Sequence, residues 1–429
     1  MNSRATIWED RAANRAWSAA GVFLRPFQLG LAFPTVLYLA AMVVFVFRPP
    51  DVDFYYADRI AFGVLVFWVA LRALALRKTV PWIAGISWPM LGLAGLAVFR
   101  ALREPFDAQT WSLVASRFIV PFVLFHVAIL IFRGAAARTQ FEIFVLIVLG
   151  YLVFTAIAFL LDARSLIFPS FILDESLGHH VHRARGPFLQ AVANGVALNL
   201  LGLLAFVLSE RRRKLIFLLW LVLPVAVLAT MTRAVWIAFA VSVVGVGLRL
   251  GWQHLRRVCV GFAAVGVLVG LLIGLSSSLQ NSIWDRTEER GPVEVRMAVY
   301  EAGWAMFQER PLTGWSAGGM YAELARRMLG YRLRSFYVHN TYLSLLVEFG
   351  IPGLLLYAIL FFNLFRVARA RSGVDGGECG SLARLRRIWP ILLGVYLFNA
   401  MFVDMVYQFV NGLLFTVAGM LCTSSEADS

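Results

Sequence analysis

The stretch "FYVHNTYLSLLVEFGIPG", residues 336–353, sets His339, Asn340 and Glu348 at the opening of an apolar run that continues to about Phe365. Histidine is the side chain whose proton exchanges near neutral pH. Elsewhere, Arg183, Arg185, Arg233, Arg286, Arg290 and Arg296 stand in the polar segments between apolar runs. The planar guanidinium fork suits bidentate recognition of phosphate. Together these residue types can bind a phosphate-bearing anion and take one proton from a hydroxyl. Asn340, Ser344 and Glu348 are spaced i, i+4, i+8 and share one stripe of a helix. Glu348 lies nine residues after His339, about 13 Å deeper and on the other side, so the two form no direct dyad.

Each residue also has a plainer reading. Asn340 can cap the helix, and His339 can anchor its end at the interface. A carboxylate in hydrocarbon demands a cation, which makes Arg117 in the fourth apolar run a partner for Glu348, with Asp404 a second candidate. Arg286 and Arg290 alternate with Asp285, Glu288 and Glu289, as on a solvated face. Arg233 can snorkel at the surface. "HHVH" at 179–182 is too short a tract to make a metal site by itself, so neither a metal nor a cofactor is expected.

The elements that must position these groups are membrane spans. Sixty per cent of the 429 residues are hydrophobic, 15% are charged, and the mean hydropathy is +0.75. Continuous apolar runs long enough to cross about 30 Å of hydrocarbon recur along the chain, and they exclude a β-barrel. Twelve spans are expected, at 27–47, 60–76, 82–99, 111–132, 141–161, 187–208, 215–231, 234–250, 258–275, 338–365, 388–405 and 409–423. Segment 1–26 and the tail 424–429 then lie inside, and the first apolar segment lacks a small-residue cleavage site, so it is expected as an uncleaved span.

Of 39 basic residues only Lys78 and Lys214 are lysine, and they are spread over short loops in a pattern that disfavours nucleic-acid binding. With both termini inside, the inner segments hold 21 basic residues against 8 in the short outer loops, as the positive-inside rule requires. Parity puts the loops after spans five, seven and nine on one outer face, where the arginines and His339 can meet. The loop at 276–337 carries a helical pattern over 293–309 and is expected to be a small helical subdomain resting on the membrane, between spans 1–9 (27–275) and spans 10–12 (338–423). Cys259, Cys379 and Cys422 build no disulfide framework.

Three segments resemble the O-antigen ligase and polymerase superfamily of bacterial inner-membrane glycosyltransferases. They are "HNTYLSLLVEFGIPG", "VRMAVYEAGWAMFQERPLTGW", and "RARGPFLQAVANG" taken with "TMTRAVW". The resemblance implies an all-α polytopic membrane protein with a C-type glycosyltransferase (GT-C) fold. It implies metal-independent transfer of a glycan from undecaprenyl diphosphate to an acceptor hydroxyl on the periplasmic side of the inner membrane. By match to the motifs, Arg185, Arg233 and Arg296 would hold the diphosphate and His339 would activate the acceptor. Arg183, Arg286, Arg290, Asn340, Glu348 and Arg117 would be supporting residues. "LQAVANG" departs from the Asn-Pro-Asn-like segment of many members, which puts any role for Gln190 or Asn194 in doubt.

The partners expected are the lipid-linked glycan, a lipid A-core oligosaccharide acceptor and membrane lipids. The ligase reading is preferred to a repeat-unit polymerase, with protein glycosylation a third acceptor option. A flippase or other transporter is the alternative from another class; it would carry inverted repeats and broken midplane helices.

Overall fold

The computed structural model describes residues 34–48, 56–77, 79–178, 181–209, 212–250, 291–328, 337–370 and 380–423, with isolated positions 256, 266–267, 270 and 274. Among the described residues the architecture is helical: α1 (Pro34–Val46), α2 (Ala57–Ala75), α3 (Ala84–Ala101), α4 (Ala108–Ile131), α5 (Ala135–Leu160), α6 (Ala191–Leu208), α7 (Arg213–Ala229), α8 (Arg233–Leu250), α9 (Gly291–Glu309), α10 (Ala317–Arg327), α11 (Thr341–Ala370), α12 (Gly380–Ala400) and α13 (Gln408–Leu421). Helices stand at eleven of the twelve expected span positions; the ninth, 258–275, lies largely outside the described residues. By length and composition α3, α4, α5, α6 and α11 each suffice to cross a membrane, and α1, α7 and α13 are shorter apolar helices.

One continuous apolar core unites the bundle, and α6 is its centre, buried over nearly its whole length. Small residues set the closest approaches. A Cβ at Gly195 would meet Val235 of α8 at 2.5 Å, and one at Gly419 of α13 would meet the Phe125 carbonyl of α4 at 2.5 Å. The pair Gly195–Val235 and the hydrogen bond from Ser242 Oγ to Asn199 Oδ1 (3.0 Å) run α6 and α8 in parallel. Gly245 of α8 faces Ile391 of α12, and Arg384 at the start of α12 donates to Val207 O at the end of α6 (3.2 Å), so α12 runs opposite to α6 and α8, and α8 begins at the end of the bundle where α12 finishes.

Several expected span boundaries shift; the fifth span, for instance, begins at Ala135 rather than 141. The eleventh, expected at 388–405, is helix Gly380–Ala400, because 401–407 leaves the helix to bond elsewhere: Val403 O accepts from Thr341 Oγ1 (2.9 Å), and Met405 N donates to the same oxygen (3.0 Å). The sixth, expected from 187, begins at Ala191, after a 3₁₀ turn at Gly186–Phe188 and a left-handed Leu189 (φ +51°).

The pattern expected over 293–309 is helix α9. With α10 it forms a second small core of Val299, Met306, Met320, Leu324 and Met328, which is closed by Val338 and by Val347 of α11. This subdomain does more than rest on the bundle. The turn "RPLTGW" between α9 and α10 inserts into a break in α11, where Gly350 adopts φ +68°, ψ −164°. The break frees backbone groups of the helix, and the turn takes them: Ile351 N donates to Pro311 O (2.8 Å), and Trp315 N donates to Val347 O (2.6 Å). That is the condition under which non-helical backbone is tolerated at membrane depth. The fit requires two glycines. A Cβ on Gly350 would lie 2.5 Å from Pro311 O, and one on Gly314 (φ +64°) would lie 2.6 Å from Glu348 O.

Gly350→Ala is therefore expected to cost about 1–3 kcal/mol for the backbone conformation alone, before any clash. A lowered melting temperature together with faster amide exchange over 310–316 is the expected readout, and unchanged exchange there would contradict the inserted-turn reading.

Candidate active site

The end of the bundle where α6, α8 and α11 begin holds the residues that the sequence singles out. His339 is half-buried and sits on left-handed backbone, φ +52°. A non-glycine residue held there is strained, which is characteristic of functional positions. The constraint comes from both sides. Asn340 Oδ1 caps α11 by accepting from Tyr342 N (3.0 Å) and Leu343 N (3.1 Å), so the plainer reading of Asn340 holds. On the other side, the single hydroxyl proton of Tyr300 on α9 is shared between His339 O (3.4 Å) and Met401 O just past the end of α12 (3.5 Å).

Arg296 stands one turn before Tyr300 on α9, half-buried. Burial raises the Tyr300 phenol above its usual value, while the Arg296 charge and a hydrogen bond with Asn340 pull it back. Tyr300 thus ties the Arg296 helix to the His339 backbone, and sequence reasoning missed it because a tyrosine in an amphipathic helix reads as packing.

Arg233 is exposed at the first residue of α8, after Met231 at φ +47°. The loop carrying Arg183 is bonded to the end of α7, just before this turn, by Ala184 N donating to Ala229 O (3.0 Å), and to α6 by Asn194 Nδ2 donating to Ala184 O (2.9 Å). Asn194, left without a role by the sequence, is thus the post on which the arginine loop hangs. Arg183 is half-buried, whereas Arg286 and Arg290 lie outside the described residues.

Arg185 is different from the other arginines. It is 1% exposed, and its guanidinium donates to three backbone carbonyls: Ile172 (2.9 Å, from Nε), Leu177 (2.5 Å, from Nη1) and Asp174 (from Nη2). Burial opposes its charge, partly offset by Asp174 and Glu175. Where the motif match has Arg185 gripping a diphosphate directly, the geometry has it spending its fork on the 172–177 loop. The reason is that a loop folded over a bundle end leaves carbonyls that need donors.

Below His339 lies the ion pair that the apolar runs demand. Arg117 Nη1 meets Glu348 Oε2 at 2.5 Å, and Nη2 stands 3.6 Å from Asp404 Oδ1, with all three side chains buried. Ser344 Oγ donates to Asp404 Oδ2 (2.9 Å), so the Ser344–Glu348 stripe faces protein. Arg117 reaches its partners from a π-helical turn, Ala115–Ile119, inside α4. Tyr321 of α10 feels the charges of Asp404, Arg117 and Glu348, and burial drives its phenol well above its usual value. Among the described residues no group of three His, Cys, Asp or Glu side chains gathers as a metal site would.

Fold and site together define a multi-pass helical membrane protein with arginines and a strained histidine at one end of the bundle. Residues 216–358, about a third of the chain, match the family model described as O-antigen ligase. The match runs from α7 into the second half of α11 and includes Arg233, Arg296, His339 and Glu348; it supports placing the chain with the O-antigen ligase-like superfamily. Arg117, Arg183 and Arg185 precede the matched segment. The family points to a glycosyltransferase-like enzyme and leaves ligase and polymerase together. No curated protein matches the chain by sequence.

Two outcomes follow from the geometry. Arg117→Met strands two buried carboxylates and is expected to cost about 3–5 kcal/mol, read as a large loss of melting temperature. Arg185→Lys keeps the charge but cannot reach three carbonyls, so amide exchange over 172–178 should rise; protection equal to wild type would remove the clamp role.

Proposed function

We propose that the chain is an inner-membrane glycosyltransferase of the O-antigen ligase type. In this reading it transfers glycan from undecaprenyl diphosphate to a hydroxyl of a lipid A-core oligosaccharide on the periplasmic face, without a metal. The observation that carries the reading is His339, held on left-handed backbone at the start of α11 and tied through Tyr300 to the helix that carries Arg296. His339 takes the acceptor proton. The acceptor oxygen bonds to the anomeric carbon as the bond from that carbon to the diphosphate oxygen breaks, and undecaprenyl diphosphate leaves as the anion.

Arg233 and Arg296, with Arg183 on the loop bonded to the end of α7, would meet the charge that grows on the leaving diphosphate, so they stabilise the transition state more than the ground state. Arg185 serves this set indirectly by shaping the loop that presents Arg183. The N-termini of α6, α8 and α11 open on the same end, and their partial positive charge favours an anion there. The broken α11 is a feature that a transporter would also carry. Here its freed backbone groups are bonded by the inserted turn, which favours a rigid scaffold over an ion path.

His339→Ala in purified, folded protein is expected to lower transfer by about 10²–10⁴-fold with donor binding retained. Turnover like wild type would end the catalytic role. The product separates the two acceptors: core-linked glycan supports the ligase reading, and lengthened lipid-linked glycan supports the polymerase.

Arg233→Lys and Arg296→Lys should each lower turnover, since the ammonium keeps the charge and loses the fork. Full activity in both variants would remove the diphosphate clamp.

A further inference from the structure

The turn that fills the break in α11 also carries an arginine to the end of α3. Gly85 faces Asn363 and Gly92 faces Leu356, so α3 runs against α11 and finishes toward the His339 end of the bundle. Arg100 lies in the last turn of α3 and donates from Nη1 to Gly314 O of the inserted turn (3.4 Å). Arg103 follows, its backbone N–H bonded to Arg100 O (3.1 Å). Arg310 enters at the head of the inserted turn, and the charges of Arg103, Arg310, Glu104 and Glu348 all bear on Arg100.

Three like charges therefore converge with little to offset them. Glu348 is spent on Arg117, and Glu104 accepts from the hydroxyl of Ser316, the N-cap of α10. Arg103 and Arg310 are exposed, and each lays its guanidinium over an aromatic ring, Phe99 at 4.3 Å and Trp315 at 4.0 Å. Stacking occupies the face of the guanidinium and leaves the N–H edge to donate elsewhere. Among the described residues neither side chain forms an ion pair. Arg327, the other arginine at the Trp315 ring, is treated differently: it bonds Glu309 through both Nη atoms (2.6 and 2.8 Å) and Glu323 through Nε (2.7 Å).

The surroundings select among ligands. Phe99, Leu102, Phe106 and Leu312, the apolar neighbours of these arginines in the chain, are 52%, 68%, 81% and 67% exposed. An apolar skirt around cations at the end of a span belongs where hydrocarbon gives way to head groups. A soluble anion would meet the arginines and leave the skirt in water, and an uncharged lipid would cover the skirt and leave the cations repelling one another. Snorkelling accounts for a single arginine at a span end; it gives no reason for three from two distant segments to gather there. We propose that Arg100, Arg103 and Arg310 form a headgroup site for an anionic phospholipid of the leaflet on the His339 side. Its phosphate oxygens accept from the guanidinium edges and its acyl chains cover the skirt. The bound lipid braces the inserted turn against the end of α3, whether or not the transferase reading holds.

The test titrates full-length protein in detergent with phosphatidylglycerol, and with phosphatidylcholine as the lipid of no net charge. Bound lipid is counted by native mass spectrometry, and the melting temperature is followed beside it. Arg103→Gln and Arg310→Gln are the variants, since both side chains are exposed and the fold does not rest on them. Arg326→Gln is the control, removing one charge from the same subdomain at a side chain 76% exposed. Phosphatidylglycerol is expected to bind wild type and raise its melting temperature, and phosphatidylcholine to do neither. Binding should be about fivefold weaker in each cluster variant and unchanged in Arg326→Gln. Equal binding of the two lipids, cluster variants that bind like wild type, or a control weakened as much as they are, overturns the site and leaves the arginines as interfacial anchors. Displacement of the lipid by inorganic phosphate at equal concentration would assign the arginines to a soluble anion and overturns the lipid reading as well.

Discussion

An arginine inside a helix bundle has to find its countercharge there, and Arg117 finds two. Its pairing with Glu348 and its approach to Asp404 tie α4, α11 and the non-helical segment before α13 into one arrangement. Taking these charges out of water is expensive, and their attraction repays the cost only with close geometry and further hydrogen bonds. Ser344 supplies one such bond to Asp404. A π-turn in α4 supplies the reach, an extra residue in the helix at the position where Arg117 projects. The value of the cluster is better understood as registry than as net stability. Three elements that could slide past one another in an all-apolar core are held to one alignment.

Glu348 also stands next to the break in α11, so the ion pair and the inserted turn act on the same two helical turns. The turn "RPLTGW" enters where Gly350 interrupts the helix, and its backbone completes the hydrogen bonds that the interruption opens. Trp315 closes the turn from behind. Its indole donates to Met306 O (2.9 Å), and the Arg310 guanidinium lies over its ring at 4.0 Å. The α9–α10 subdomain is therefore fixed to the membrane bundle through backbone as well as side chains. Arg296 and Tyr300 consequently sit at a defined height relative to His339.

The polar end of the bundle is built from loops that have little room to move. Three of the left-handed non-glycine residues, Leu189, Met231 and His339, fall in the segments that carry the arginine and histidine motifs. Each holds a turn tighter than an ordinary connection; the Arg183 loop is bonded to the end of α7 just before the Arg233 turn, and the His339 backbone to Tyr300. Preorganisation of this kind suits a site that must meet developing charge without reorganising.

The sequence by itself determined the class of fold. Apolar runs of membrane length and the bias of basic residues leave few alternatives to a polytopic helical protein. It also disclosed that Arg117 needs a carboxylate, because the penalty for an unpaired charge in hydrocarbon does not depend on the tertiary details. Asn340 as a cap followed from residue type and position.

What the tertiary structure decided were relations between distant segments, which periodicity does not encode. Arg185 looks like any other motif arginine until the 172–177 carbonyls are folded around it. The boundary of α12 moves because Thr341 captures the backbone of 403–405. Gly350 reads as an ordinary glycine in an apolar helix until Pro311 occupies the space where its side chain would be. Arg100 and Arg310 become one cationic corner only when the inserted turn brings Gly314 to the end of α3. Local spacing specifies what each side chain can do; which groups remain available to do it depends on the partners that packing places within bonding distance.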